Sequence, residues 1–318
     1  MGGVRGEVEE GGRYVSDIGT SVAKFLKHGD HLMAMQAGPV WPLHLAILCT
    51  SRCQLDCPFC VVKRREKGKD LDFAVFREVA GQLRSHGGRA IQFSGGDPFA
   101  WPHIDEALKY CHEVDIRVGV QSNGLEAHKH VQALATAKWM RVSVYTQEQM
   151  ARLRLDGLPK SLHLSLSTVW HAGSTPEFLK QFRDYALSVG ACHARVVQDL
   201  NDRDSEHAAL APDLVRELGA PLVFVRRADQ PTHFCAIAWW KAAMDWDGNL
   251  YSCGCIAAQD RGGRLPKNLR ICHATGMQEF FDKQRPHDLG HRCYPCSYWE
   301  QNELMRVALT PCDDPEFL

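Results

Sequence analysis

Short apolar runs alternate with amphipathic stretches between residues 16 and 197, the pattern of strands separated by helices. Val22, Phe25, Leu26, Leu32 and Met33 recur at near-helical spacing and predict a lead-in helix within 16–37. A first strand is read at 43–49. Asp70 is expected to cap a helix that buries Phe73, Phe76, Val79, Ala80 and Leu83 and stops at Gly87-Gly88. Further strands are read at 90–93, 116–120, 140–144, 162–166 and 193–197, with helices at 103–114, 125–137, 147–155 and 175–188. These strands hold few charges, as expected of a parallel sheet covered by helices. Six units fall short of the eight that close a barrel. The expected fold is therefore α/β, a partial (β/α)6 TIM barrel with its chemistry at the C-terminal strand ends.

From about residue 211 the pattern changes. Pro212 and Pro221 are expected to bracket a short helix, and 235–318 is dense in Cys, Trp and Gly. Three regions are expected: a tail and lead-in helix over 1–42, the barrel over 43–210, and a small auxiliary domain over 211–318. The Gly-rich, charged start over 1–13 reads as disordered.

Composition narrows the function classes. Lys and Arg total 37 against 38 Asp and Glu, a net charge of -1, so no nucleic-acid partner is expected. No apolar run is long enough for a bilayer span, and the N-terminus has no secretory signal, so no membrane partner is expected and the location reads as cytoplasmic. Thirteen cysteines in a reducing compartment point to metal ligation or catalysis rather than disulfides.

The loop after the first strand reads Cys53-Gln-Leu-Asp-Cys57-Pro-Phe-Cys60. Three thiolates at this spacing can grip three irons of a [4Fe–4S] cube and leave the fourth open. A four-cysteine zinc or ferredoxin-like site is the alternative, with Cys49 as a conceivable fourth ligand, although its strand-end position favours burial. The loop resembles the signature of the radical S-adenosylmethionine (radical SAM) superfamily, including the aromatic Phe59 before the third cysteine. Three further turns fit that family in order. Gly95-Gly96-Asp97-Pro98 resembles its GGEP motif, with Asp97 in place of the commoner Glu. Gln121-Ser122-Asn123-Gly124 resembles its TNG turn, and Ser143 stands where a polar strand residue often meets SAM. The resemblance covers 43–200 and implies an open iron that chelates SAM, cleavage of SAM to a 5′-deoxyadenosyl radical, and hydrogen abstraction from a substrate. A Cβ at Gly96 is expected to crowd the SAM amino group while sparing the cluster.

Downstream, Cys235, Gly248 and Cys253 stand with twelve and four residues between them, Asp247-Gly248 reads as a hairpin turn, and Cys293-Tyr-Pro-Cys296 forms a CxxC. The set is similar to the SPASM and Twitch auxiliary-cluster domains. The shorter Twitch form, with one auxiliary [4Fe–4S] cluster, fits better, because only Cys312 follows Cys296. Structural zinc is the alternative. Cys255, two residues past Cys253, is either the true ligand or a free thiol able to donate a hydrogen atom. Cys111, Cys192, Trp239, Trp240 and Trp246 read as core, and the basic run from Lys63 to Lys69 as a solvated loop. His163 and His193 stand on barrel strands, and Arg195 is a candidate for meeting a carboxylate or hydroxyl of the substrate.

The resemblance implies a sugar, aminocyclitol or nucleoside substrate of specialised metabolism, epimerised or dehydrogenated, and an external one-electron donor such as flavodoxin or ferredoxin. Modification of a ribosomal peptide ranks second, since 42 residues precede the first strand, and sulfur insertion third.

Overall fold

The computed structural model describes residues 25, 27–60, 62, 66–199, 205–225, 232–255, 257, 270–289 and 296–310. The tail over 1–13, the arginines of the basic run, Cys293 and Cys312 lie outside them. Among the described residues, ten strands form one open sheet in the order β10-β9-β8-β1-β2-β3-β4-β5-β6-β7. The chain enters through α1 (Gly29–Ala37) and β1 (His44–Thr50). Then α2 (Phe73–Ser85), β2 (Ala90–Gly95), α3 (Ile104–Glu113), β3 (Arg117–Ser122), α4 (Val131–Leu134) and β4 (Trp139–Ser143) follow. The series continues with α5 (Gln147–Arg152), β5 (His163–Trp170), α6 (Pro176–Ser188), β6 (His193–Gln198), α7 (Glu206–Leu218) and β7 (Leu222–Val225). Strands β1 to β7 pair in parallel with their chain neighbours. This is the expected partial barrel, and it does not close.

Several boundaries differ from the sequence reading for identifiable reasons. Helix α2 is capped by Asp72, which accepts from the amides of Ala74 and Val75, and not by Asp70. The helix expected over 125–137 shrinks to a 3-10 turn at Ala127–Lys129 and one turn of α4. Tertiary contacts override propensity there: the His130 ring stacks on Phe99 and its Nδ1 lies 2.7 Å from Asp105. The boundary expected at 210/211 falls inside α7, which Ser205 caps and which contains Pro212. One more strand, β7, then extends the parallel series to seven.

The segment beyond β7 returns to the opposite edge of the same sheet. Strand β8 (Lys241–Met244) pairs in parallel with β1. β9 (Asn249–Tyr251) folds back antiparallel on β8, and β10 (Arg270–His273) follows antiparallel on β9. The β8–β9 turn is the expected one: Gly248 takes φ 76°, and Asp245 accepts from the amides of Asp247 and Asn249. Two helices, α8 (Met277–Lys283) and α9 (Trp299–Leu309), complete the described chain. Trp239, Trp240 and Trp246 are buried as expected, with Phe25 stacked on Trp240 at 3.8 Å.

Side chains alternate between the two faces of each strand. One face is apolar and meets the helices, as when Phe93 of β2 packs against Phe76 of α2. On that face Ile47, Phe93, Val120, Val142, Leu166 and Val196 are fully buried. The other face, turned to the barrel interior, is polar. Gln121, Arg141, Ser165 and His193 lie side by side in register across β3 to β6. Ser143, Ser167 and Arg195 form the next row toward the C-terminal ends. Below Arg141, Trp139 lies across β3 and fills the barrel, with the Arg141 guanidinium 5.4 Å above its ring. His193 is buried in this interior, whereas His163 is exposed.

Gly119 makes the Trp139 arrangement possible, because a Cβ there would come within 2.1 Å of the ring. Gly119→Val is therefore expected to lower stability by about 2 kcal/mol or more, read as a lower urea midpoint. An unchanged midpoint would show that the ring can move aside.

Candidate functional site

The residues ahead of Cys53 are fastened on two sides. On one side, Thr50 Oγ1 donates to Asp70 at 2.6 Å and Arg52 Nε reaches both Asp70 oxygens at 3.1 and 3.0 Å. Asp70, expected as a helix cap, thus anchors the cysteine loop. On the other side, the end of β2 is sewn to it: Gly96 N–H donates to Thr50 O and Asp97 N–H to Arg52 O, both at 2.7 Å. This contact requires glycine. Gly95 has φ 129°, and a Cβ on it would stand 2.4 Å from Thr50 O. A Cβ on Gly96 would stand 2.0 Å from Arg52 O. The expectation that substitution at Gly96 would spare the cysteine loop is therefore corrected: the first atom met is the loop's own backbone.

Asp97 is fully buried and joins the ends of β2 and β3. Its Oδ2 accepts from Ser122 Oγ at 2.8 Å and Asn123 N at 2.6 Å, and its Oδ1 from Phe99 N at 3.0 Å. Burial raises its pKa, and these hydrogen bonds oppose the rise. The Ser122 hydroxyl also accepts from Gly124 N at 2.9 Å. Asp97 and Ser122 are thus engaged with the protein itself, while Asn123 extends toward the cysteine loop. Asn123 Nδ2 donates to Gln54 Oε1 at 2.8 Å and approaches Cys53 Sγ at 3.8 Å. Pro98 opens a 3-10 turn, Pro98–Ala100, that fixes the exit of the chain.

Gln149, which sequence reading placed only within a helix, links the next two strand ends. It is buried, donates to Asn123 O at 3.0 Å and Ser143 O at 2.6 Å, and accepts from Tyr145 N. Tyr145 hydrogen-bonds the Ser143 side chain, and burial together with the neighbouring thiols pushes its pKa up to about 12. Phe59 packs edge-on to Tyr145 at 4.5 Å and against His171 at 4.9 Å. The aromatic residue before Cys60 thereby pins the loop over the ends of β4 and β5.

Cys53, Cys57 and Cys60 are partly exposed and unbridged. They are close enough that Cys60 and Cys53 add to the burial that pushes Cys57 up to about 11. Among the described residues, no three His, Cys, Asp or Glu side chains are grouped to hold a single metal ion. A cube asks for something else, since each thiolate binds a different iron and must lose its proton to do so. A soft, partly open donor set at one mouth of a polar barrel fits such a cluster. Cys49 is fully buried with its Sγ toward Ser94 O, as its strand-end position implies.

The second thiol set lies at the other end of the sheet. Cys235 precedes β8 and Cys253 follows β9, so the hairpin returns both to the N-terminal end of β1. Cys235, Cys253 and Cys296 are buried. Asn302 of α9, fully buried and not singled out by sequence, joins two of their segments. Its Oδ1 accepts from Ala236 N at 3.1 Å, and its Nδ2 lies 3.8 Å from Cys296 Sγ. Asp288 accepts from Cys235 N at 3.2 Å. Cys255 stands close enough to Cys296 to contribute to its raised pKa, although burial contributes more. Cys111 is buried as expected, and Cys192 only partly so.

A partial barrel with a C-x3-C-x2-C loop at its first strand end defines a class, and the comparisons name the family. Residues 47–148 match the family model described as the Radical SAM superfamily. That family uses a [4Fe–4S] cluster and S-adenosylmethionine. An uncharacterised protein of Methanocaldococcus jannaschii is 23% identical over 219 residues, 58% of this chain and 73% of that protein. The PqqA peptide cyclase of Bradyrhizobium diazoefficiens is 29% identical over 109 residues, 33% of this chain and 29% of its own. The subtilosin biosynthesis protein AlbA of Bacillus subtilis is 24% identical over 180 residues, 56% of this chain and 38% of its own. The chain thus spans well under half of the latter two. Among solved structures, Streptococcus suis SuiB bound to S-adenosylmethionine aligns with TM-score 0.59 and 16% identity, over 83% of this chain and 71% of that one. The native enzyme anSMEcpe, with bound AdoMet and a peptide, aligns with TM-score 0.54 and 13% identity, over 87% and 86%. At these identities the likeness establishes the partial-barrel fold alone. Among the described residues, no helix is long and apolar enough to cross a membrane.

Two outcomes test the site as built. Gly96→Ala is expected to lower both iron retention after reconstitution and SAM affinity, because the added methyl strikes the Arg52 carbonyl; full iron with weakened SAM binding would restore the ligand-crowding reading. Asp97→Ala removes three hydrogen bonds to a buried carboxylate and is expected to cost about 3 kcal/mol or more in urea unfolding. A loss below about 1 kcal/mol would show that the three donors find other partners.

Proposed function

We propose that this chain is a radical SAM enzyme that removes a hydrogen atom from a polar small molecule held on the inner face of its barrel. Cys53, Cys57 and Cys60 would hold the [4Fe–4S] cluster, with Phe59 packed over the loop. The backbone at Gly95, Gly96 and Pro98, the turn at Ser122-Asn123 and the strand end at Ser143 would line the SAM site, with Asp97 positioning them. The cluster and SAM, when bound, supply reductive cleavage of SAM to a 5′-deoxyadenosyl radical. The protein holds the target carbon in place and keeps water and other hydrogens away. The observation that carries this reading is the polar interior directly beneath the thiol loop, with Gln121, Arg141, Ser165 and His193 in one row.

Cys235, Cys253, Cys293 and Cys296 would hold an auxiliary [4Fe–4S] cluster in the Twitch-like region, and an external flavodoxin or ferredoxin would supply electrons. The nearness of Cys255 to Cys296 supports a place for Cys255 in or beside this thiol set. Hydroxyl-bearing substrates such as sugars, aminocyclitols or nucleosides fit the serines and amides of the interior, with epimerisation or dehydrogenation as the outcome. A peptide substrate is the second reading, favoured by the names of the PqqA peptide cyclase and of the peptide-bound neighbour.

Anaerobic reconstitution tests the proposal. The wild type is expected to hold about eight irons, and the Cys53, Cys57 and Cys60 triple alanine variant about four. With SAM and dithionite, only the wild type should release 5′-deoxyadenosine. A wild type that takes up about four irons with stoichiometric zinc would remove the auxiliary cluster, and one that makes no 5′-deoxyadenosine would remove the radical reading. Cys255→Ala separates the two roles of that thiol: loss of about four irons marks a ligand. Full iron, with loss of deuterium incorporation from deuterated water into product, marks a hydrogen donor.

A further inference from the structure

Cys296 stands just ahead of α9, and two nitrogen donors converge on its sulfur. The Tyr298 amide donates to Cys296 Sγ at 3.4 Å, and Asn302 Nδ2 lies 3.8 Å from it. The orientation of the Asn302 amide follows from its other bond. Its Oδ1 accepts from Ala236 N at 3.1 Å, a partner that only an acceptor can meet, so the NH2 group is the one that faces sulfur. Asn302 has no solvent exposure and Cys296 is buried, so these bonds are made away from water, where they are stronger. Burial raises the Cys296 pKa, and Cys255 adds to the rise. The Tyr298 and Asn302 donors oppose it, which means that they favour the negative sulfur.

The segments that carry the other thiols hold donors that no protein group satisfies. Among the described residues, Trp239 Nε1 and Ser252 Oγ are buried and have no hydrogen-bond partner. Ser252 immediately precedes Cys253. Trp239 belongs to the turn that follows Cys235, and its ring lies 4.8 Å from that of His287, beside the Asp288 that accepts from Cys235 N. A buried donor without an acceptor costs free energy, and a group that brings its own acceptors removes that cost. Four-thiolate zinc presents cysteine sulfurs alone, whereas an iron–sulfur cube adds inorganic sulfides. The residues thus fit a cube. Hydrogen bonds to its sulfurs offset the extra negative charge of the reduced form and so raise the potential.

We infer that Asn302 is the positioning residue of the auxiliary site: its side-chain N–H, donated to the Cys296 sulfur, raises the reduction potential of the cluster held there. The inference rests on the proposal that this thiol set holds an auxiliary cluster. The two ends of one side chain do different work. The carbonyl end fastens the residue next to Cys235, and the NH2 end tunes Cys296.

The test uses the full chain with Cys53, Cys57 and Cys60 changed to alanine, reconstituted anaerobically, so that only the auxiliary cluster is read. Asn302→Asp keeps an oxygen for the Ala236 amide and replaces the donor by an acceptor. Asn302→Leu removes both at similar volume. Redox titration followed by EPR, in alkaline buffer where the new carboxyl is ionised, is expected to show the reduction equilibrium lowered about tenfold or more in each variant. For one electron that is a shift of about 59 mV or more to lower potential. Iron is expected to stay at the parent level in Asn302→Asp and to fall in Asn302→Leu. A purely structural tether would give the parent potential in Asn302→Asp, and that result overturns the inference. A second measurement needs no substitution at 302 and decides the matter if both variants lose their iron. With asparagine side chains labelled with 15N, pulsed EPR of the reduced parent cluster is expected to show a 15N coupling, and its absence overturns the inference. A parent that holds no iron, or takes up zinc instead, defeats the auxiliary-cluster reading and this inference with it. Full iron with an unmoved potential defeats this inference alone.

Discussion

The site depends on a carboxylate that faces inward. Asp97 has no solvent exposure, yet it holds the ends of β2 and β3 at fixed spacing through Ser122, Asn123 and Phe99. Parallel strands give no direct means of fixing the loops that leave their C-terminal ends, because each loop departs toward a helix. A buried acceptor with donors from two strand ends supplies it. Desolvation penalises the charge, and three hydrogen bonds offset that penalty, so removing one partner leaves a buried charge undersatisfied. From Asp97 the network runs through Asn123 to Gln54 and through Gln149 to Ser143, which ties the cysteine loop to β4. An aspartate, one methylene shorter than the glutamate common in the family, suits this role because its oxygens stay within reach of the adjacent strand.

Much of this was legible in the sequence because it is local. Apolar periodicity located β1 to β6 of the eight parallel strands described, and Asp247-Gly248 located the hairpin turn. The C-x3-C-x2-C loop and the two glycines of the β2 end were read from short contiguous motifs and their resemblance to the family's. What was not legible is pairwise and distant. No local signal says that Asp70 meets Arg52, that Gln149 bridges Asn123 and Ser143, or that Asn302 joins the Cys235 and Cys296 segments. The seventh strand was hidden by Pro212, which normally ends a helix but sits inside α7. The neighbour of Gly96 was not legible for the same reason. A glycine pair announces a close approach, yet only the fold shows that the approaching group is the protein's own Arg52 carbonyl.

Strand β1 organises the two thiol sets. The first cysteine loop leaves its C-terminal end, while β8 pairs along its other edge in the same direction. Because β9 reverses the chain, Cys235 and Cys253 both come to the opposite end of β1. Seven residues of strand separate the ends, about 23 Å. The polar interior lies along this length, with Arg195 and Ser167 toward the first set. Lys241 lies toward the second, 5.9 Å from the ring of Tyr298 near Cys296. Strand β8 is itself an eighth parallel strand, and the sheet stays open because the chain turns back on it through β9 and β10 instead of pairing it with β7.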